Sequence, residues 1–239
     1  MEMKRPTRLH YFQHEPFEGL GSIEEWALLK GFSLASTHLY KNDSLPELEH
    51  FDWLVVMGGS MSVNDEAALP WLRPEKAFVK QAILAGKVVI GICLGAQMIA
   101  NVLGSKVQYN EHKEIGWFPI HWDPEALRHT LFRHIPPSLN VMHWHGETFE
   151  MPLGAMPLAK SKACMNQGFL YKEKVLGLQF HPEFDEKSTD EMLAYCSHEL
   201  QEGAYVQSGD KMIEQRHFII PAKAALFGIL DALANQNNP

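Results

Sequence analysis

The chain has 239 residues, a formal net charge of −8, 46% hydrophobic residues and 21% charged residues. That length suits one α/β domain over residues 1–239, and the composition is that of an ordinary globular protein. The negative charge argues against nucleic acid or an anionic membrane as a partner. Three cysteines are too few for a disulfide framework, no signal peptide is evident, and no apolar run approaches the roughly 20 residues that span a bilayer. We therefore expect a cytoplasmic protein with no membrane partner.

The N-terminal part of the chain alternates between strand and helix patterns. Apolar runs predict strands over 8–13, 32–40, 52–57 and 87–92, and helical periodicity predicts helices over 19–30, 71–85 and 94–103. This alternation indicates βαβ units and predicts an α/β fold, with a mostly parallel central sheet flanked by helices. Ligands of such sheets bind at the carboxyl ends of the strands.

Beyond residue 106 the pattern changes to short strands separated by turn residues. Strands are predicted over 115–121, 139–144, 155–160, 164–171 and 175–180, which indicates a smaller antiparallel or mixed extension of the sheet. A helix is predicted over 187–200, opening with the capping-box pattern Ser188-Thr-Asp-Glu191. A last helix is predicted over 221–234, with Pro221 in its first turn, and the tail over 235–239 is expected to be disordered.

The most informative stretch predicts a buried strand, a tight turn and a helix that begins just after Cys93. Within it, Gly91-x-Cys93-x-Gly95 has the form of the nucleophile elbow G-x-S-x-G, with cysteine in place of serine. The glycines allow a sharp turn and the close approach of a substrate. A cysteine at a helix N-terminus also feels the positive end of the helix dipole, which favours the thiolate. The alternative is a small buried residue in an ordinary turn, because free cysteine is often buried and inert.

A second stretch ends a predicted strand in His181-Pro182-Glu183. Pro182 biases His181 toward an extended backbone. Side chains two residues apart on an extended segment face the same way, so Glu183 can orient the His181 imidazole. With Cys93, these residues supply the nucleophile, general base and orienting carboxylate that acyl transfer needs. Taken alone, the motif favours a strand end with a capping acid.

Together these motifs resemble the class I (triad) glutamine amidotransferases, a family with a flavodoxin-like α/β fold. The resemblance rests on Gly91-Ile-Cys93-Leu-Gly95-Ala-Gln97, on Gly177-x-Gln179-Phe-His181-Pro-Glu183, and on Gly58-Gly59-Ser60, which looks like the oxyanion loop of that family. Three finer motifs are most similar to the stand-alone branch related to the amidotransferase domain of GMP synthase: Glu114-Ile-Gly-Trp117, Trp144-His-Gly-Glu147-Thr-Phe149 and Asn166-Gln-Gly-Phe169.

The resemblance implies a catalytic triad of Cys93, His181 and Glu183. It implies that the backbone N–H groups of Gly59 and Leu94 hold the oxyanion. Contacts with the bound substrate are implied for five further residues, Gly58, Gln97, Asn166, Gln167 and Phe169. The Cys93 thiolate would attack the side-chain amide of glutamine, and water would later cleave the γ-glutamyl thioester. No cofactor and no metal are implied.

Other patterns have simpler explanations. His143-x-His145 places two imidazoles on one face of a strand, but no cysteine or acidic cluster completes a tetrahedral ligand set, so no metal site is predicted. Cys164 and Cys196 lie within apolar patterns and are expected to be inert core residues. The Gly58-Gly59-Ser60 loop lacks the Gly-Lys-Ser/Thr ending of a phosphate-binding loop.

Three functions remain open at this point. In the first, the protein is a glutaminase or stand-alone amidotransferase that passes ammonia to a separate acceptor or synthase partner, because the chain leaves no room for a synthase domain. In the second, it is a γ-glutamyl peptidase that acts on γ-glutamyl peptides or conjugates. In the third, it is a non-catalytic regulatory or binding relative, which the intact triad disfavours. A closed pocket around Asn166–Phe169 and Glu147 would suit free glutamine, whereas an open groove would suit a peptide.

A cysteine-based α/β-hydrolase is a more distant alternative. That fold places its acid before its histidine in the chain, whereas Glu183 follows His181 here.

Overall fold

The computed structural model describes residues 5–237, and its centre is a sheet of nine strands. The strands are β1 (Arg8–Gln13), β2 (Ser33–His38), β3 (Trp53–Val56), β4 (Val88–Ile92), β5 (Val107–Trp122), β6 (Ser138–Phe149), β7 (Met156–Lys160), β8 (Gly168–Tyr171) and β9 (Val175–Leu178). Their order across the sheet is β2-β1-β3-β4-β9-β8-β7-β5-β6. The α-helices are α1 (Ser22–Leu29), α2 (Leu72–Leu84), α3 (Leu94–Val102), α4 (Glu186–Cys196), α5 (Gly209–Glu214) and α6 (Ile219–Asn237).

The neighbouring strands β2, β1, β3, β4 and β9 pair in parallel and carry the apolar runs of the sequence. Strand β3 shows why these runs are continuous. Trp53 and Val55 face a core cluster that includes residues of α1 and α6, whereas Leu54 and Val56 face a second cluster with residues of α2 and α3. Helices cover both faces of the sheet, so successive residues are all buried. The predicted α/β fold with a mostly parallel sheet is confirmed.

The strands β8, β7, β5 and β6 form the predicted antiparallel extension. The hairpin of β5 and β6 is longer than predicted, and its register shifts between Tyr109 and Glu114. The N-terminal part of β5 is polar and largely exposed, so it shows no apolar alternation from which a strand could be predicted. Strand β8 is shorter than predicted. The Ser161 hydroxyl accepts hydrogen bonds from the N–H groups of Ala163 and Cys164, and the chain turns there before β8 begins.

The C-terminal helices differ from the prediction in three ways. Helix α4 is capped by Asp185, whose carboxylate accepts a hydrogen bond from the Ser188 N–H at 2.7 Å, so the predicted capping box at Ser188 lies inside the helix. Helix α5 has six residues, too few for a periodic pattern to reveal it. Helix α6 continues to Asn237, so the part of the tail expected to be disordered is helical as far as the structure describes it. Residues 238–239 lie outside the described range.

The segment Arg216–Gln236, most of which is α6, is long and apolar enough to cross a membrane by length and composition alone. This corrects the expectation that no apolar run approaches that length. Leu226, Leu230 and Leu233 from this segment are fully buried in the core cluster on one face of the sheet. A core helix meets the same criterion of length and composition, and these buried leucines supply part of the apolar character of α6.

Candidate active site

Cys93 stands at the carboxyl end of β4, between that strand and α3. Its φ of 51° and ψ of −105° form a backbone conformation that costs a non-glycine residue on the order of 1–3 kcal/mol. Packing requires both flanking glycines. A Cβ on Gly91 would lie 2.4 Å from the carbonyl carbon of Gly95, and a Cβ on Gly95 would lie 1.9 Å from the Val56 oxygen. The turn is therefore as sharp as the elbow motif predicted.

His181 and Glu183 follow β9, the strand that pairs with β4. His181 Nδ1 lies 2.7 Å from Glu183 Oε1, and both residues are almost fully buried. Burial lowers the pKa of His181, but the Glu183 charge and hydrogen bonds with Cys93 and Glu183 outweigh it, so the pKa lies well above its ordinary value. Glu183 and Cys93 therefore both favour the charged form of the imidazole. With Nδ1 facing Glu183, its other nitrogen is left for the Cys93 thiol.

The amide of Gln179 links the thiol to the rest of the site. Cys93 Sγ lies 3.7 Å from Gln179 Nε2 and 3.6 Å from the Trp144 carbonyl oxygen. Gln97, on the first turn of α3, donates through Nε2 to Gln179 Oε1 at 3.2 Å and to the Glu147 carbonyl oxygen at 3.1 Å. These bonds tie α3 to β6, so the hairpin of the antiparallel extension is held against the sheet edge that carries Cys93.

Gly58 and Gly59 follow β3 and lie on the other side of Cys93 from the strand that leads to His181. A Cβ on Gly59 would lie 2.9 Å from Leu94 Cδ2, and a Cβ on Gly58 would lie 3.3 Å from His181 Cε1. Leu94 opens α3, and the first N–H groups of a helix have no acceptor within the helix. The backbone N–H groups of Gly59 and Leu94 thus belong to residues that lie close together beside Cys93.

A cavity of about 430 Å³, open to solvent, lies over Cys93 and His181. The edge of the parallel sheet forms one wall, to which Gly59 and Gln97 contribute. The second wall comes from β6 through residues 144–147, and part of the rim comes from β5 through Tyr109, Asn110, Glu111 and Lys113. The reactive groups therefore lie at the base of a cleft between the parallel sheet and the antiparallel hairpin.

A sequence model of the family described as glutamine amidotransferase class-I matches residues 26–199, a range that includes Cys93, His181 and Glu183. The chain belongs to the class I glutamine amidotransferases. It is 36% identical over 197 residues to the glutamine amidotransferase-like protein YfeJ of Salmonella typhimurium, an alignment that covers 81% of this chain and 82% of the relative. It is 32% identical over 157 residues to one subunit of the glutamine-hydrolysing GMP synthase of Sulfolobus acidocaldarius, covering 65% of this chain and 79% of that protein. A crystal structure of a glutamine amidotransferase from Thermotoga maritima has a TM-score of 0.88 at 29% identity, covering 96% of this chain and 99% of that one.

The structure divides the expected substrate contacts into two groups. Gln97 lines the cavity and Gly58 lies beside His181, whereas Asn166, Gln167 and Phe169 do not line it. Asn166 Nδ2 donates to a backbone carbonyl oxygen of β6 at 2.8 Å, and Gln167 and Phe169 are fully buried. These three residues support the β6 wall from behind. Their side chains are already engaged in packing and hydrogen bonds within the protein.

Gln167 belongs to a buried network behind the amidotransferase cleft. Its Nε2 donates to Glu114 Oε2 at 2.6 Å, and the same oxygen lies 3.2 Å from His145 Nε2 and 3.3 Å from His143 Nδ1. Burial raises the pKa of Glu114, but the two imidazoles outweigh it and bring the pKa to about 2. Burial lowers the pKa of His143 to about 4.

Glu114, His143 and His145 carry donor atoms that could hold a metal ion, within 4.8 Å of one another. Because Glu114 Oε2 already has hydrogen bonds with Gln167 and His145, we interpret the group as a buried polar network, in which His143 lies near the carboxylate but, within the described residues, forms no hydrogen bond with it. This network fixes His145, which contributes to the cavity wall.

No motif in the sequence singled out His14 and Glu18, which follow β1 at the same sheet edge. Glu18 lines the cavity, and burial raises its pKa to about 7, although the His181 and His14 imidazoles act in the opposite direction. The only signal in the sequence was their position just after a parallel strand, where ligand sites form. Cys196 also lines the cavity, but burial and the Glu18 charge raise the pKa of its thiol to about 12, so it is a poor nucleophile.

Proposed function

We propose that this amidotransferase hydrolyses the γ-glutamyl amide bond of L-glutamine through a thioester on Cys93. The observation that carries the proposal is the triad geometry: Cys93 held at positive φ on the elbow, beside a buried His181 whose Nδ1 lies 2.7 Å from Glu183 Oε1. A pseudoenzyme has no need to keep a strained cysteine, a buried imidazole and an orienting carboxylate together. The non-catalytic alternative is therefore the least favoured.

The reaction divides into acylation and deacylation. In acylation, His181 takes the proton of the Cys93 thiol, Sγ attacks the γ-carbonyl carbon, and the carbonyl oxygen becomes an oxyanion held by the N–H groups of Gly59 and Leu94. As the oxyanion collapses, the C–N bond breaks and His181 gives its proton to the leaving ammonia. In deacylation, His181 takes a proton from water, whose oxygen attacks the thioester carbon. The C–S bond then breaks, glutamate is released, and His181 returns the proton to Cys93 Sγ.

We propose a distinct role for each of the remaining polar groups. Glu183 keeps the His181 imidazole in the orientation that presents its second nitrogen to the thiol. Gln97 lines the cavity and Gly58 lies beside His181, and we assign both to the substrate end of the site; the Gln97 amide is held in place by Gln179 and the Glu147 carbonyl. The mechanism uses no cofactor and no metal ion.

The fate of the ammonia is a separate proposal. The Sulfolobus acidocaldarius relative is named as one subunit of a GMP synthase, which indicates that it works with another chain. By analogy, the ammonia formed here would pass to a separate acceptor or synthase partner. We also propose that residues 1–239 form one amidotransferase domain that works in the cytoplasm, where its cysteines, which are free and buried in the structure, would stay reduced.

One observation favours a second candidate, hydrolysis of γ-glutamyl peptides or conjugates. The cavity of about 430 Å³ is open to solvent and falls in the size range of sites for ligands larger than a single amino acid. The same thioester chemistry would then release an amine larger than ammonia, and no ammonia-accepting partner would be required.

Glutamate release from L-glutamine and from a γ-glutamyl dipeptide tests both candidates. We expect the native protein to turn over at least one substrate and Cys93→Ala to turn over neither. Cys164→Ala is the matched control, because Cys164 is a buried cysteine outside the cavity lining. Turnover of glutamine supports the amidotransferase role, whereas turnover of the dipeptide alone supports the peptidase. If the native protein turns over neither and a glutamine-like diazoketone does not label Cys93, the proposed chemistry is wrong.

A further inference from the structure

His14 is a buried imidazole whose two ring nitrogens both face hydrogen-bond acceptors. Its Nδ1 lies 3.0 Å from the Gly58 carbonyl oxygen, and its Nε2 lies 2.8 Å from Glu75 Oε1. His14 follows β1, Gly58 follows β3 and Glu75 belongs to α2, so the ring joins three elements at the edge of the sheet. The side chains of His14 and Glu75 are both completely buried.

A ring with acceptors on both nitrogens donates two protons and is therefore an imidazolium. Burial lowers the pKa of His14, but the Glu75 charge and the hydrogen bonds to Glu75 and Gly58 raise it above its ordinary value, and the nearby Glu18 charge acts in the same direction. The Trp71 ring stacks on the imidazole, with centroids 5.8 Å apart. A buried ion pair is often no more stable than apolar residues of the same volume. Packing alone therefore gives no reason for a charged pair at this position.

The carbonyl group that accepts the His14 proton belongs to the same peptide group as the Gly59 N–H. A trans peptide is planar, and its C=O and N–H point in opposite directions. Consecutive glycines at 58 and 59 would allow this peptide to rotate with little steric resistance. The hydrogen bond from His14 therefore also fixes the direction of the Gly59 N–H. Within residues 5–237, that N–H has no hydrogen-bond acceptor, and Gly59 lines the cavity over Cys93.

We propose that His14 and Glu75 are positioning residues that keep the Gly58–Gly59 peptide oriented with its N–H toward the oxyanion. The inference rests on the proposed function, which puts that oxyanion beside Cys93. A cation bonded to the carbonyl also polarises the peptide and strengthens its N–H as a donor. The oxyanion site is then formed within this chain, and no second protein is needed to orient the peptide.

Two substitutions of His14 separate this role from a general structural one. In His14→Asn, the amide nitrogen takes the place of Nδ1 and keeps the hydrogen bond to Gly58, while the bond to Glu75 is lost. In His14→Gln, the amide reaches the position of Nε2 and keeps Glu75, while the bond to Gly58 is lost. Removing one oxyanion donor slows kcat by about 100-fold or more in other acyl-transfer enzymes. We expect a kcat loss of that order in His14→Gln, a loss below about 10-fold in His14→Asn, and a KM change below about 3-fold in both.

Alkylation of Cys93 by iodoacetamide is the control, because that reaction forms no oxyanion. We expect its rate to be unchanged in both variants. In Glu75→Gln, Nε2 of a neutral imidazole can accept from the introduced amide while Nδ1–H still donates to Gly58, so we expect a kcat loss below about 10-fold, as in His14→Asn, and an unchanged alkylation rate.

Other outcomes contradict the positioning role in distinct ways. Equal losses of kcat in His14→Gln and His14→Asn, or a parallel loss of alkylation, indicate a structural role only. Full kcat in His14→Gln, in a native protein that turns over substrate, overturns the positioning role and leaves the proposed function intact. A native protein that turns over no γ-glutamyl substrate and resists the diazoketone overturns both proposals, since no oxyanion would form.

Discussion

Replacing Gly95 by alanine tests whether the elbow depends on the contact between α3 and β3. A Cβ at position 95 would lie 1.9 Å from the Val56 carbonyl oxygen. Cβ atoms are essentially never found closer than 3.0 Å to another heavy atom, so the contact is too short by 1.1 Å. The oxygen belongs to a fully buried strand, so it cannot move aside as a flexible side chain would. The start of α3 must therefore shift by about that distance, and Cys93 and the Leu94 N–H must shift with it.

We expect two separate consequences of Gly95→Ala. Overpacking a filled core costs roughly 1–3 kcal/mol, so the free energy of unfolding in urea should fall by that amount. A shift of about 1 Å at a catalytic group costs on the order of 100-fold in rate, so glutamate release should fall by that factor even at a temperature where the variant is fully folded. Gly19→Ala is the matched control, because a Cβ at Gly19 meets nothing within 4 Å. Equal activity in the two variants would show that the close packing of α3 on β3 does not position the thiol.

Two further predictions concern the dependence of stability on pH. Burial holds the pKa of His10 and of His143 at about 4, below the unfolded value of 6.5, so their stabilising contribution is complete above pH 6.5 and is lost as the pH falls toward 4. The urea concentration at the unfolding midpoint should decrease as the pH is lowered through that window. His10→Gln should make this decrease smaller, and an unchanged decrease would contradict the assignment to His10. The effect of Glu18 on stability has the opposite dependence on pH. Its pKa of about 7 in the folded protein exceeds the unfolded value of 4.5, so stability is lost as the pH rises from 4.5 through 7. At pH 8, Glu18→Gln should therefore be more stable than the native protein, by about 1–2 kcal/mol after allowance for the partial exposure of Glu18. At pH 4.5 the two proteins should be equally stable. Equal stability at both pH values would refute the raised pKa of Glu18.

The parallel half of the fold and the sharp turn at Cys93 could be predicted because local sequence and packing agree there. Strands such as β3 are buried on both faces, so their residues form uninterrupted apolar runs that need no knowledge of the neighbouring strands. The elbow glycines leave a signal in the sequence for the same reason: each has a backbone group of another residue where a Cβ would stand. Cys93, His181 and Glu183 all closely follow such strands.

The residues that shape the cleft could not be predicted in the same way. Asn166, Gln167 and Phe169 belong to a motif that resembles a substrate-binding segment, but in space they lie behind β6. Only the pairing of β5 with β6 decides which side of β6 faces the cavity. His14 depends on contacts with residues 44 and 61 positions away, so no local pattern reveals it. The exposed part of β5 carries polar residues on both faces and resembles a loop in sequence.

The two halves of the sheet contribute different parts of the site. The parallel strands supply every group in the proposed bond-breaking steps, since β3, β4 and β9 lead into Gly59, Cys93 and His181. The antiparallel hairpin supplies the opposite wall and part of the rim, from Tyr109 on β5 to Glu147 on β6. Because the proposed chemistry is the same for glutamine and for larger γ-glutamyl amides, we expect the choice between them to depend on the residues that line the cleft, many of which this hairpin supplies. The buried Glu114 network fixes the shape of the hairpin from behind. Substitutions at the rim of the cleft should therefore change which sizes of substrate are accepted, while the triad stays unchanged.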